Sequence, residues 1–202
     1  LHATGSTRVP IHKEGFAVKY PKDVVLKNKK RVIIRPYEAA DEALLRKFYF
    51  SFSEKERWFV PFDMMRPDMQ CKWSEETGRE CLYSIVALCG ETIVAHTNLQ
   101  VGGRGNYTSH VGRLLIKVLP EYRQQRLGAW MLLDLIKLAM EKDLRDLRVD
   151  LVIGIDDMAI EGLRRFDFFK SAVLEEYAMD PSGNRYDMVI MLKRLHRDFG
   201  DF

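Results

Sequence analysis

The sequence predicts an α+β, or mixed α/β, domain built around one sheet, and three observations carry that expectation. The apolar patterns run in the order strand pair, helices, strand pair, strand, helix, strand, helix, strand pair. Segments 110–118 and 148–155 are strand-like and are bridged by an apolar helical stretch over 127–142, which predicts a βαβ unit with parallel strands. Three pairs of β-type runs are separated by polar turns, at 27–30, at Gly90-Glu91 and at 180–185.

Each element follows from its own pattern. Residues 1–22 show no sustained period and read as an extension or linker remnant ahead of a domain over 23–195, with 196–202 as a tail. The start at Leu1, without methionine, fits excision from a longer chain. The stretch DVVLKNKKRVIIRP reads as a hairpin ending at Pro36. Asp41 is a candidate N-cap for a helix in which Leu44, Leu45, Phe48, Tyr49 and Phe52 recur at helical spacing. The aromatic segment 53–79, broken by Pro61 and Pro67, predicts one or two short helices. CLYSIVALCGETIVAHTNLQV is a second hairpin, GGRGN a loop and HVGRLLIKV a strand. The helix over 127–142 is apolar nearly all round, with Asp134, Lys137 and Glu141 as its polar stripe. RVDLVIGI reads as a strand buried on both faces. A helix opened by Asp156 or Asp157 and a closing hairpin complete the domain.

Bulk properties narrow the function. With 202 residues, 47% hydrophobic and 30% charged, the chain has the composition of one globular domain. A net charge of +3 with interspersed signs does not indicate a nucleic-acid footprint. Cys71, Cys81 and Cys89 fit no metal or redox spacing and read as reduced thiols, which places the chain in the cytoplasm. No apolar run reaches the length of a membrane span.

The most informative stretch is VLPEYRQQRLGAWML, residues 118–132. It leads from a strand through a charged loop into the apolar helix. At such a turn, backbone N–H groups and the helix dipole favour an anion. Gly128 permits close backbone approach, Ala129 keeps the entrance small, and Arg123 and Arg126 supply forked donors suited to phosphate. The other reading of the same residues is a solvated surface loop.

The element order, with V-x-P-x-x-R-x-x-x-x-G-A over 118–129, resembles the GNAT superfamily of acyl-CoA-dependent N-acyltransferases, and the likeness spans 31–195. RPYEAADEALLRKFYFSFSEKERWF, residues 35–59, resembles the opening of Pat-type protein lysine acetyltransferase domains, which are often fused to acyl-CoA synthetase or acyl-CoA hydrolase/transferase modules. The resemblance implies a central twisted mixed sheet of about seven strands with about four helices, splayed between two parallel central strands. It implies acetyl-CoA as cosubstrate, no metal, and an amine acceptor, either a protein lysine or a small amine. Leu115, Ile116 and Val118 would then pair with the pantetheine arm. Arg123, Gln124, Gln125, Arg126, Leu127, Gly128 and Ala129 would wrap the pyrophosphate.

Several positions depart from that pattern. Arg126 stands where the family loop has its middle glycine, a residue suited to φ > 0. The family's pantetheine-contacting Asn falls on Asp156, and its Gly-Phe helix ending on Asp167-Phe168. The glutamate base falls on Arg113, which is always charged, and the tyrosine acid on Leu163. His110, upstream on the same strand, is the remaining titratable candidate for catalysis. His96 reads as a hydrogen-bonded sheet residue, Tyr177 as strand packing and Glu161 as a surface partner of its neighbouring arginines. Trp58, Phe59, Phe62 and Trp73 read as core and lid packing. A catalytically weakened domain that senses CoA thioesters, or docks a partner, is the alternative function.

Overall fold

The computed structural model describes residues 19–61, 70, 80–102 and 105–195. Eight strands form one sheet: β1 (Lys22–Val25), β2 (Arg31–Pro36), β3 (Cys81–Cys89), β4 (Thr92–Val101), β5 (Val111–Val118), β6 (Asp146–Val152), β7 (Phe169–Met179) and β8 (Arg185–Arg194). Four α-helices accompany them: α1 (Glu42–Phe50), α2 (Glu54–Trp58), α3 (Leu127–Glu141) and α4 (Asp157–Arg164). The strand order is β1-β2-β3-β4-β5-β6-β8-β7. Every neighbouring pair is antiparallel except β5 and β6, which run parallel as the βαβ pattern requires.

Side-chain alternation sorts the two faces of the sheet. Tyr49 of α1 reaches His96 on β4, so α1 covers the face carrying His96. A Cβ built on Gly128 of α3 would lie 3.5 Å from Val118 and 3.9 Å from Ile116, so α3 covers the opposite face. Residues paired across the ladder share a face, so Arg113, Leu115 and Lys117 lie with Gln100, Asn98 and His96 on the α1 side. Met131, Leu135 and Leu138 of α3 are fully buried, each stabilising the fold by about 1.5–3 kcal/mol.

Four details differ from the sequence reading. Asp134, the first member of the polar stripe, is 3% exposed, because β1 covers it. It accepts hydrogen bonds from Tyr20 Oη at 2.9 Å and from Lys22 Nζ. Asp41 stands at the N-cap of α1, as expected, but its side chain makes no capping bond; its carboxylate accepts from Glu38 N at 2.9 Å and from both terminal nitrogens of Arg35 at 2.7 Å. β6 begins earlier than expected and is not apolar throughout, since Arg148 and Asp150 share its α1 side. Cys81 is disulfide-bonded, while Cys89 is a free thiol. Linear spacing does not show which sulfurs a fold brings together, so the expectation of three reduced thiols fails at Cys81.

Candidate functional site

The two parallel strands stay together for three rungs only, Val111 with Asp146, Gly112 with Leu147 and Arg113 with Arg148. Beyond Arg113 the ladder stops and the strands diverge. Leu114–Val118 remains paired to β4 and Val149–Val152 to β8. Each therefore presents one backbone edge to a wedge that no strand fills among the described residues. Such edges accept an extended ligand through main-chain hydrogen bonds.

The wedge opens toward the loop that leads into α3. Leu119 and Tyr122 are buried and anchor this loop, and Leu119 N donates to Val94 O at 3.0 Å. Gln124 and Arg126 both take the left-handed backbone conformation, with φ of 59° and 68°. Arg126 is the N-cap of α3 and offers no capping side chain, and the first turn of α3 carries no acidic residue. A left-handed residue leading into a helix turns successive N–H groups into a concavity suited to an anion, at the positive end of the helix dipole. The glycine-like conformation anticipated at position 126 is thus present, with an arginine in it.

The loop side chains divide by task. The Arg126 side chain is exposed. Arg123 is engaged within the fold: its Nε donates to Val118 O at 3.0 Å and its Nη2 to Glu56 Oε1 at 2.7 Å. Burial raises the Glu56 pKa, but the hydrogen bonds from Arg123 and Ser53 outweigh it and hold the carboxyl below its ordinary range. Gln125 accepts from Asn28 N at 3.1 Å, which ties the loop to the β1–β2 turn. Leu127 is buried, and Gly128 and Ala129 are half-buried over β5. Among Leu115, Ile116 and Val118, the first lies on the α1 face and the others under α3.

Polar groups line the α1 face beside the wedge. At its closed end, Arg148 holds Asp150 through two hydrogen bonds of 2.7 and 3.1 Å, and Arg113 Nη2 lies 3.5 Å from the same carboxylate. Arg113 also donates to Gln100 Oε1 at 3.2 Å, and Gln100 donates to Glu80. Further toward the mouth, Lys117 Nζ meets Asp156 Oδ1 at 2.9 Å, and Asp156 Oδ2 accepts from Val152 N at 3.1 Å. Sequence reasoning passed over Asp150 and Lys117. A charged residue within each strand-like run, RLLIKV and RVDLV, was the available signal.

The other candidates fall elsewhere. His110 lies just before β5, at the end away from the wedge, with its Nε2 3.9 Å from Asp146 Oδ2. It is three residues before the last rung, about 10 Å along the chain. His96 is fully buried; its Nδ1 is 2.7 Å from Tyr49 Oη and its Nε2 has no partner. Burial lowers its pKa from 6.5 to about 3, so the ring is neutral at physiological pH. Leu163 is core. Asp167 takes φ 60° where the family pattern has glycine, and Phe168 beside it is buried. Glu161 pairs with Arg164 at 2.6 Å, and Tyr177 is exposed on β7. Trp58 Nε1 donates to Met179 O at 2.9 Å and Phe59 packs edge-on against Tyr186, so α2 joins the loop to the β7–β8 hairpin. Phe62 and Trp73 lie outside the described residues. Among the described residues, no cluster of His, Cys, Asp or Glu suits a metal ion, and no helix is long and apolar enough to cross a membrane.

No family model and no curated protein matches the sequence. Solved structures do share its architecture. A GNAT-family acetyltransferase from Streptococcus pneumoniae superposes with a TM-score of 0.63 at 21% identity, covering 81% of this chain and 99% of that one. The ribosomal-protein-S18-alanine N-acetyltransferase from Escherichia coli gives 0.63 at 17%, covering 85% and 98%. The GNAT domain of S. lividans PAT gives 0.63 at 15%, covering 88% and 100%. The chain has the GNAT fold: a mixed eight-stranded sheet with four helices and one parallel pair at its centre.

Proposed function

We propose that the protein is an acyl-CoA-dependent N-acyltransferase, with acetyl-CoA as donor and a primary amine, such as a protein lysine, as acceptor. The observation that carries this reading is the wedge between β5 and β6 with the uncapped N-terminus of α3 at its mouth. The residues present fit a CoA thioester. Leu114–Val118 offers a free strand edge to an amide-bearing chain. The amides of Leu127, Gly128 and Ala129 offer donors to a pyrophosphate, with the Arg126 guanidinium beside them. Gly128 keeps the helix surface open next to β5, since a Cβ there meets only ordinary van der Waals contacts.

The reaction joins the amine nitrogen to the acyl carbon and breaks the carbon–sulfur bond, and the ammonium must first lose a proton. Arg113 holds its charge and Leu163 has no proton to give. His110 lies outside the wedge. Asp150 is the carboxylate at the closed end of the wedge, where it positions an incoming amine; both its oxygens face arginines. Calorimetric titration with acetyl-CoA, with 3′-dephospho-CoA as control, tests the donor. One-to-one binding is expected, and none at millimolar ligand would refute the reading. Acetyl-CoA-dependent CoA release that requires an added amine separates transfer from binding alone. Release absent with both protein and small amines would leave a CoA-thioester sensor, the reading that Arg113 and Leu163 favour.

A further inference from the structure

We propose that the Lys117–Asp156 ion pair is a latch across the wedge, which opens when an extended thioester ligand enters; this rests on the wedge being the CoA site. Lys117 is four residues beyond Arg113, and Val152 four beyond Arg148, so both sit at the position of the fourth missing rung. There the Asp156 carboxylate takes the Val152 amide with one oxygen and the Lys117 ammonium with the other. One side chain thereby spans from β6 to β5 and replaces the lost backbone rung. The pair is nearly enclosed, with side-chain exposures of 12% and 13%. His96, across the ladder from Lys117, is neutral and does not oppose the ammonium.

Two consequences follow from this geometry. The β6 amide that an incoming chain would meet at this depth is already satisfied from within the protein. The 2.9 Å contact also leaves no space between the two groups, since a methylene chain needs about 3.5–4 Å from each flanking atom. Entry therefore requires the pair to part or swing aside, and the apparent affinity is reduced in proportion to the fraction of molecules in which it is open. The latch needs an acid at position 156, where the resembled family carries an amide, and a lysine at the facing position of β5.

The test is the double variant Lys117→Met with Asp156→Asn. It retains an acceptor for Val152 N and leaves no unpaired charge, whereas either single change would strand a buried ion. Hydrogen exchange is read first, without ligand. Faster exchange of the Leu114–Val118 and Val149–Val152 amides, with the rest of the sheet unchanged, is the expected result; unchanged exchange there overturns the latch. Calorimetry with acetyl-CoA is read second. Tightening on the order of tenfold is expected for a mostly closed latch. Weaker binding would make the two residues ligand contacts, and equal binding would place the pair beside the path; both results overturn the proposal. Accelerated exchange with no acetyl-CoA binding by either protein would leave the latch standing and refute the acyltransferase reading.

Discussion

Replacing Arg126 by alanine and, separately, by glycine divides its two contributions. Its backbone is left-handed, with φ 68° and ψ 3°, a conformation that disfavours any residue with a Cβ by about 1–2 kcal/mol. Alanine keeps that strain and glycine removes it. Part of the gain is offset because glycine loses more chain entropy on folding, by roughly 0.5–1 kcal/mol. The net expectation is that the glycine variant is about 1 kcal/mol more stable than the alanine variant, or roughly 2–4 °C in melting temperature for a chain of this size. Both variants lose the guanidinium. If it serves phosphate, each binds acetyl-CoA more weakly by a charge-assisted hydrogen bond, about 1.5–3 kcal/mol or roughly ten- to hundredfold. Paired thermal melts and calorimetric titrations measure the two effects. Equal melting temperatures would refute the strain argument, and tighter binding by the glycine variant would show that Arg126 obstructs the loop.

Gly128→Ala is expected to leave the melting temperature unchanged or slightly raised, because the added methyl meets only Val118 at 3.5 Å and Ile116 at 3.9 Å, yet to weaken acetyl-CoA binding measured by calorimetry. Gly112→Ala should destabilise the fold by about 1–3 kcal/mol in urea denaturation, since its Cβ would lie 2.6 Å from Leu99 and 2.7 Å from Leu144. His96 adds a pH dependence: the unfolded ring gains a proton near pH 6.5 and the folded ring not until about 3, so stability holds above 6.5 and falls as pH drops toward 3. The full effect is at most roughly 5 kcal/mol, and His96→Gln should flatten that part of the stability–pH curve measured by denaturant titration.

The architecture was legible where it rests on periodicity. The hairpins β1–β2, β3–β4 and β7–β8 and the parallel pairing of β5 with β6 all follow from alternation and turn chemistry. The left-handed backbone at Arg126 was legible only through the glycine that the resembled loop carries there. What stayed hidden was contact between residues distant in the chain. Lys117 and Asp156 are 39 positions apart, and Arg123 and Glu56 are 67 apart; nothing local in either neighbourhood announces the partner. Asp134 looked like part of a solvated stripe because the strand that covers it lies at the other end of the sequence. The polar face of β6 was overlooked because Arg148 and Asp150 alternate with Val149 and Leu151, and the apolar members dominated the reading.

The register of β7 bears on how this sheet meets other chains. Ser171 has no counterpart in β8, and residues 175–177 face the single position Asp187, with Glu176 at φ 49°. The opposite margin, β1, is four residues long. A foreign strand therefore finds no long, regular border on which to continue the pleat from outside. The backbone edge without a strand neighbour among the described residues lies in the interior, along Leu114–Val118. The sheet thus leaves a strand edge unpaired near its middle among the described residues, while its margins are short at β1 and broken by bulges at β7.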